Sequence, residues 1–111
     1  MNEQSAERFS SGAVTLKEWS DYQAGSIVSS KIIQKPTGNV TFFAFDQGQE
    51  LSEHTAPFDA LVYVVEGEVQ ISIAGKPSIV RQGQIYLMPA NQPHALKALQ
   101  NFKMLLTMIR S

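Results

Sequence analysis

From residue 26 onward the sequence is a series of short apolar runs separated by turn signals, and helical periodicity is absent. The runs are rich in β-branched and aromatic residues, which favour strands, and glycine or proline stands between them. Val69, Ile71 and Ile73 alternate with polar residues, the period of two that is typical of a strand with one side in water. Seven or more such strands in 111 residues predict an all-β barrel or sandwich.

Two short connections carry specific turn predictions. The segment "KPTG" predicts a turn between the strands on either side of it. The segment "EGE", centred on Gly67, predicts a hairpin between "ALVYVV" and "VQISIA" in which the glycine adopts a positive φ.

The first 24 residues differ in character from the rest of the chain. Residues 1–13 are polar and predict a loose tail, and residues 15–23 predict a short helix or turn with Leu16 and Trp19 on one face. We therefore divide the chain into an N-terminal tail with a short helix or turn (1–24) and a β-barrel (25–111).

The chain lacks the segments that direct a protein into or across a membrane. Its first residues have no apolar core like that of a secretory signal, and no apolar run approaches the roughly 18 residues of a membrane span. We expect a cytoplasmic protein without a membrane span.

The composition excludes several chemistries. With no cysteine, the chain has no disulfide, no thiolate metal site and no cysteine nucleophile. A metal would have to be held by carboxylates, water and the two histidines, His54 and His94. The net charge of −1 gives no indication of a nucleic-acid partner.

The charges are unevenly distributed along the chain. All ten acidic residues lie at or before Glu68, and the residues after it carry only basic side chains. This asymmetry is compatible with a basic surface for an anionic ligand. It is also compatible with strands from the two halves interleaving so that the charges offset one another, and we favour this second interpretation.

Two strands, "LVYVV" and "MLLTMI", are apolar on both faces. One face can pack in the barrel interior, and the other must be covered by something else. A homodimer would cover it, and the alternative is that the N-terminal segment with Trp19 covers it within one chain.

Two segments resemble the two sequence motifs of the cupin superfamily. The first motif is matched by Gly48, His54 and Glu66-Gly67-Glu68, and the second, "GQIYLMPANQPH", by Gly83, Pro89 and His94. The chain is similar to small, single-domain bacterial cupins. This resemblance implies a single conserved cupin barrel, which is a double-stranded β-helix or jelly roll.

Only His54 and His94 occupy positions at which metal-binding cupins usually have metal ligands. A metal-binding cupin usually supplies a second histidine and a glutamate where this chain has Ala56 and Ala60. Asp59 and Glu53 are the neighbouring carboxylates, and each is offset so that its side chain points to the opposite face of a strand. We therefore expect no metal cofactor, or at most a weakly held divalent metal on His54 and His94.

Three functions remain open. The favoured one is a small-molecule-binding cupin, with a ligand that is mostly apolar and has one anionic or hydrogen-bonding end. The alternatives are a metal-dependent dioxygenase or isomerase, and a metal-independent epimerase or isomerase with His54 and His94 as acid–base groups. For the metal-independent epimerase or isomerase, the candidate side chains that would work with the histidines are Tyr86, Lys97 and Lys103. Catalysis is not indicated by any motif, so enzyme activity is left open and not favoured.

The predicted ligand-binding residues combine the histidines with large side chains on the strands. They are His54, His94, Phe42, Tyr63, Met88, Phe102 and Met104. A purely structural barrel would instead have these side chains fill the core and both histidines bound to backbone groups.

Overall fold

A computed structural model describes residues 3–110, with side chains described from residue 6 onward. A short helix, α1 (Glu3–Arg8), and a 3₁₀ turn (Leu16–Glu18) precede the strands. The strands are β1 (Ile27–Lys35), β2 (Gly38–Phe45), β3 (Glu50–His54), β4 (Asp59–Glu66), β5 (Glu68–Ile73), β6 (Lys76–Arg81), β7 (Ile85–Met88), β8 (His94–Ala98) and β9 (Phe102–Ile109). None of the helices within 3–110 has the length and apolar character needed to cross a bilayer.

The strands form two antiparallel sheets that enclose the core. The five-stranded sheet has the order β1-β2-β9-β4-β7, and the four-stranded sheet has the order β3-β8-β5-β6. Each sheet contains strands from both halves of the chain, as in a jelly roll. The predicted all-β barrel is confirmed, and the "KPTG" segment forms the turn of the β1–β2 hairpin.

The predicted hairpin at Gly67 is wrong. β4 lies in the five-stranded sheet and β5 in the four-stranded sheet, so the two strands do not pair with each other. Gly67 is the corner at which the chain crosses between the sheets. It has a φ of 82°, and its carbonyl accepts a hydrogen bond from the Gln82 amide. The positive φ was predicted correctly, because a sharp corner and a tight hairpin both require a residue with a positive φ.

The barrel interior is filled by side chains from both sheets. Its centre contains Phe45 and Phe102, whose ring centroids are 4.8 Å apart, together with Ile71 and Met104, and all four are fully buried. The packed interior restricts any ligand site to the ends of the barrel or to the gaps between the sheets.

The N-terminal segment packs against the outer face of the five-stranded sheet. Trp19 is 4% exposed and covers Phe42 and Ala44, and its indole N–H donates to the Ser30 hydroxyl over 3.1 Å. Arg8, at the end of α1, donates to the Trp19 carbonyl over 2.6 Å and stacks on its ring. Residues 3–8 are thus helical and Arg8 is attached to the barrel, unlike the loose tail predicted there. Residues 1 and 2 lie outside the described part.

A buried lysine attaches the same segment to the sheet. Lys103 is 6% exposed, donates to the Lys17 carbonyl over 2.6 Å and lies 3.8 Å from the Glu66 carboxylate. Tyr22 donates to the same carboxylate over 2.5 Å. Burial, followed by this hydrogen bond, raises the pKa of Tyr22 far above its ordinary value, so the phenol stays protonated.

The uneven charge distribution of the sequence is largely compensated by the fold. Three ion pairs within residues 3–110 each join a basic residue that follows Glu68 in sequence to an acidic residue at or before Glu68. They are Arg81–Glu68, Lys97–Glu50 and Lys103–Glu66, each at 3.8 Å. This supports the interpretation that interleaved strands bring opposite charges together.

Candidate functional site

His54 and His94, 40 positions apart in sequence, meet at one end of the barrel. They are directly opposite each other in the β3–β8 pairing, and their ring centroids are 4.3 Å apart in an edge-to-face arrangement. His94 is 7% exposed, whereas His54 is exposed to solvent. The pair therefore joins a buried imidazole to one that water or a ligand reaches directly.

Each imidazole uses one nitrogen to bind the backbone carbonyl of the residue two positions before it. The Nδ1 atom of His54 lies 2.7 Å from the Ser52 carbonyl, and Nδ1 of His94 lies 3.3 Å from the Gln92 carbonyl. A carbonyl only accepts, so both Nδ1 atoms carry the proton and donate. In the neutral form each Nε2 is then a hydrogen-bond acceptor, and within residues 3–110 neither Nε2 has a hydrogen-bond partner. The backbone contacts orient the rings and leave two acceptors available.

The environment of His94 favours the neutral imidazole. Burial lowers the pKa of His94 below its ordinary value of 6.5, and the neighbouring His54 lowers it further. The hydrogen bond to Gln92 opposes this shift with a smaller effect. No carboxylate within residues 3–110 forms an ion pair with His94, so no opposite charge there offsets this shift.

This shift predicts that acid destabilises the protein through His94. A histidine with a lowered pKa in the folded state binds its proton more readily when unfolded. Its contribution to stability is therefore complete above about pH 6.5 and is lost as the pH falls through that value toward the folded pKa. We expect the free energy of unfolding to fall more between pH 8 and pH 5.5 in the native protein than in His94→Phe. Equal losses in urea unfolding curves of the two proteins would contradict this.

The carboxylates near the pair are directed elsewhere. Asp59 accepts a hydrogen bond from the Ala90 amide over 2.9 Å, and Glu53 lines a cleft with Gln70 and Lys97 at the outer face of the four-stranded sheet. Ala60 is buried in the core cluster. Within residues 3–110 no three histidine or acidic side chains come close enough to share a metal ion. The donor set therefore does not fit a tightly held divalent metal.

The structure separates the other predicted ligand-binding residues into three groups. Met88, Phe102 and Met104 are buried in the core that the two sheets enclose. Phe42 lies on the opposite face of its sheet under Trp19, and Tyr63 is exposed on that outer face. The side chains expected to line one ligand cavity are thus not brought together.

Of the possible partners for acid–base chemistry, Tyr86 lines a cleft that also contains Gln92, and Lys97 lines the cleft at the outer face of the four-stranded sheet. The Tyr86 hydroxyl lies 3.3 Å from that of Ser78. Lys97 pairs with Glu50, and Lys103 is buried under the N-terminal segment. The two lysines are thus committed to ion pairs.

Lys76 lies at this end of the barrel and was not predicted from the sequence as a site residue. His94 pairs with Ile73 of β5, and Ile73 pairs with Lys76 of β6. Residues directly opposite in antiparallel strands point to the same face of the sheet. His54, His94, Ile73 and Lys76 thus form one row across the four-stranded sheet. The glycine turn after "VQISIA" fixes the Ile73–Lys76 pairing, and this was the signal that could have identified Lys76.

Comparison with known proteins agrees with the fold and the motifs. The Cupin_2 family, the cupin domain, matches residues 41–110. A conserved protein of unknown function from Streptococcus pyogenes is 32% identical with a TM-score of 0.86, over 89% of this chain and 87% of that one. No curated protein shows a significant match.

Two further solved structures extend the comparison. A cupin 2 conserved barrel domain protein from Leptotrichia buccalis is 43% identical with a TM-score of 0.82. The alignment covers 85% of this chain and 46% of that one, so this chain spans about half of that protein's length. A cupin superfamily protein from Desulfitobacterium hafniense, at 21% identity and a TM-score of 0.85 over 88% and 90% of the chains, shares the fold.

The matched segment makes up more than half of the 111 residues and contains both motif histidines. The two-sheet barrel, the motif spacing and the family match lead to one assignment. The chain belongs to the cupin domain family.

Proposed function

We propose that this protein is a small-molecule-binding cupin that holds its ligand at the end of the barrel through His54 and His94. The observation that carries the proposal is the pair of oriented imidazoles, each with Nδ1 bound to a backbone carbonyl two residues before it and Nε2 available. Histidines with a purely structural role would have no reason to converge at 4.3 Å with their acceptor atoms unused.

The protonation state indicates what part of a ligand the pair binds. The lowered pKa of His94 keeps that ring neutral at neutral pH, so its Nε2 accepts a hydrogen bond. The ligand group in contact with the pair is therefore a donor, such as a hydroxyl or an amide N–H. Ile73, which is paired with His94, and Leu51, three residues before His54 on the same strand, provide apolar side chains for the rest of the molecule.

The proposed function does not depend on a metal. Two imidazoles without a carboxylate leave the charge of a divalent ion uncompensated, and Asp59 and Glu53 are directed away from the pair. We therefore propose that ligand binding uses hydrogen bonds and apolar contact, with no cofactor.

We also propose that the protein acts as a cytoplasmic homodimer. The N-terminal segment covers only part of the outer face of the five-stranded sheet. Next to it an apolar patch remains exposed, formed by Leu61 (40%), Tyr63 (38%), Ile85 (64%) and Leu87 (53%). Two copies related by a two-fold axis would bury the same patch on both chains.

The binding proposal is tested with benzyl alcohol and its methyl ether as neutral probes that differ in one hydrogen-bond donor. We expect benzyl alcohol to shift the Nε2 resonances of both histidines in NMR spectra. We expect its affinity for His94→Phe to be lower than for the native protein by a factor of about five or more. The ether should bind weakly to both proteins. Equal affinity for alcohol and ether would contradict the proposal.

Metal exposure provides the second arm of the same test. We expect protein treated with Mn, Fe, Ni and Zn salts and then desalted to retain far less than one metal per chain by elemental analysis. Stoichiometric metal that is lost in His54→Ala would replace the proposal with metal-dependent chemistry.

A further inference from the structure

We propose that the ligand is an elongated amphipathic monocarboxylate, with its donor group on the histidines and its carboxylate on Lys76 at the cleft between β6 and β7. This inference rests on the proposed function and adds the ligand class and the second half of the site. It is carried by the row of cross-strand pairs, by the charge of the cleft and by the shape of the gap between the sheets.

The row of pairs sets the length of the ligand. His94 and Lys76 lie on β8 and β6, with Ile73 of β5 between them. Neighbouring strands are about 4.8 Å apart, so the backbones of His94 and Lys76 are separated by about 10 Å. A ligand that contacts both residues therefore has a chain of about eight atoms, with its apolar middle over Ile73.

The charge of the cleft sets the polarity of the far end. Lys76 is the one charged side chain among the described residues that line the clefts on the two sides of the Ser78–Tyr86 contact. The basic residues Arg81, Lys97 and Lys103 have carboxylate partners, whereas no carboxylate of residues 3–110 lies within ion-pair distance of Lys76. This part of the fold leaves a cation without compensation and favours an anionic group.

The gap between the sheets provides the space. β6 and β7 are the last strands of their sheets, and the hydroxyl groups of Ser78 and Tyr86, 3.3 Å apart, face each other across the gap. One cleft beside this contact has a volume of about 430 Å³, within the range of small-molecule sites. It is lined by Ile73, Ala74, Lys76, Ser78, Tyr86, Leu87, Pro89 and Gln92. The Gln92 carbonyl also accepts the hydrogen bond from His94, so this cleft adjoins the histidine pair.

The lining of the cleft matches the proposed ligand from end to end. Ile73, Leu87 and Pro89 contribute apolar surface, and the hydroxyl that accepts in the Ser78–Tyr86 hydrogen bond can itself donate to a ligand in the cleft that Lys76 lines. A carboxylate there would accept charge-assisted hydrogen bonds, which are stronger than those between neutral groups. A dicarboxylate would place a second anion on neutral imidazole acceptors and is disfavoured.

The test uses the full chain and three probes of equal chain length: 8-hydroxyoctanoate, octanoate and 1,8-octanediol. We expect 8-hydroxyoctanoate to bind most tightly in NMR titrations and to shift the amides of residues 73–78 and 86–92. Lys76→Gln should weaken the binding of both carboxylates about fivefold to tenfold and leave the diol unchanged. Tyr86→Phe should weaken the carboxylates by a smaller factor.

Arg81→Gln is the matched control, since Arg81 lies on the same strand with its side chain on the opposite face, paired with Glu68. It removes the same charge, so a loss equal to that of Lys76→Gln would indicate a general charge effect and would overturn the inference. Carboxylate binding that is unchanged in Lys76→Gln would also overturn the inference.

If carboxylate binding is unchanged but the diol still binds and its binding depends on His94, the proposed function stands and only the ligand class is wrong. The amide resonances of β6 and β7 could instead shift when the protein concentration is raised without any probe. That result would show that a second copy of the chain binds at the cleft, and it would also overturn the inference.

Discussion

Gly67→Ala is expected to lower the free energy of unfolding by about 4 kcal/mol or more and to leave little folded protein at 37 °C. A Cβ added at Gly67 would lie 2.1 Å from the Asn101 carbonyl oxygen and 2.9 Å from the Phe102 Cα. Both are backbone atoms, so no side-chain rotation relieves the overlap. The φ of 82° adds the ordinary cost of a left-handed conformation, about 1–2 kcal/mol. Urea unfolding monitored by Trp19 fluorescence measures the loss.

Gly75→Ala separates the two contributions. Gly75 has nearly the same φ, 81°, and a Cβ there would meet no atom within 4 Å. We expect this variant to lose only about 1–2 kcal/mol, the conformational cost alone. If the two variants are equally stable, the close approach of Gly67 to Asn101 does not limit the fold.

Leu61→Glu is expected to convert a dimer into a monomer. Leu61 lies in the exposed patch, beside Leu87 in the pairing of β4 with β7, and it is 40% exposed in the single chain. A carboxylate there costs little in the folded monomer but is buried without a partner in the dimer. We expect the dimer dissociation constant to rise about 100-fold, which is about 2.7 kcal/mol. Sedimentation velocity at micromolar concentrations measures the change.

Ile33→Glu provides the control for this variant. Ile33 is similarly exposed, at 36%, and lies on β1, at the edge of the five-stranded sheet opposite β7. It should leave the sedimentation coefficient unchanged. If the native protein sediments as a monomer at high concentration, the homodimer proposal is wrong.

The strands and most turns were predictable because their signals are local. Alternation in residues 69–73 and the glycine and proline positions report on neighbours a few residues apart. The corner at Gly67 shows the limit of this approach. A positive φ is a property of one residue and was predicted, whereas the partner of each adjoining strand depends on strands far along the chain.

The site was predictable only where its signal is local in the sequence. The motif spacing selected His54 and His94, and the structure brings these two together. Phe42 and Tyr63 were chosen because large side chains on strands often line a cavity, but the face that a strand turns inward depends on the sheet it joins. Lys76 belongs to no motif, and its place in the same row as the histidines follows only from the pairing of β8, β5 and β6.

The sequence by itself determined that this chain forms short strands, that it has two histidines at cupin motif positions, and that cysteine chemistry is absent. The tertiary structure decided which side chains share a face, which charges are compensated, and that Lys76, at the end of the row, has no carboxylate partner among the described side chains. The physical reason is that periodicity and turn preference are encoded in adjacent residues. Cross-strand contact, in contrast, depends on which distant segments exclude water together when the two sheets close.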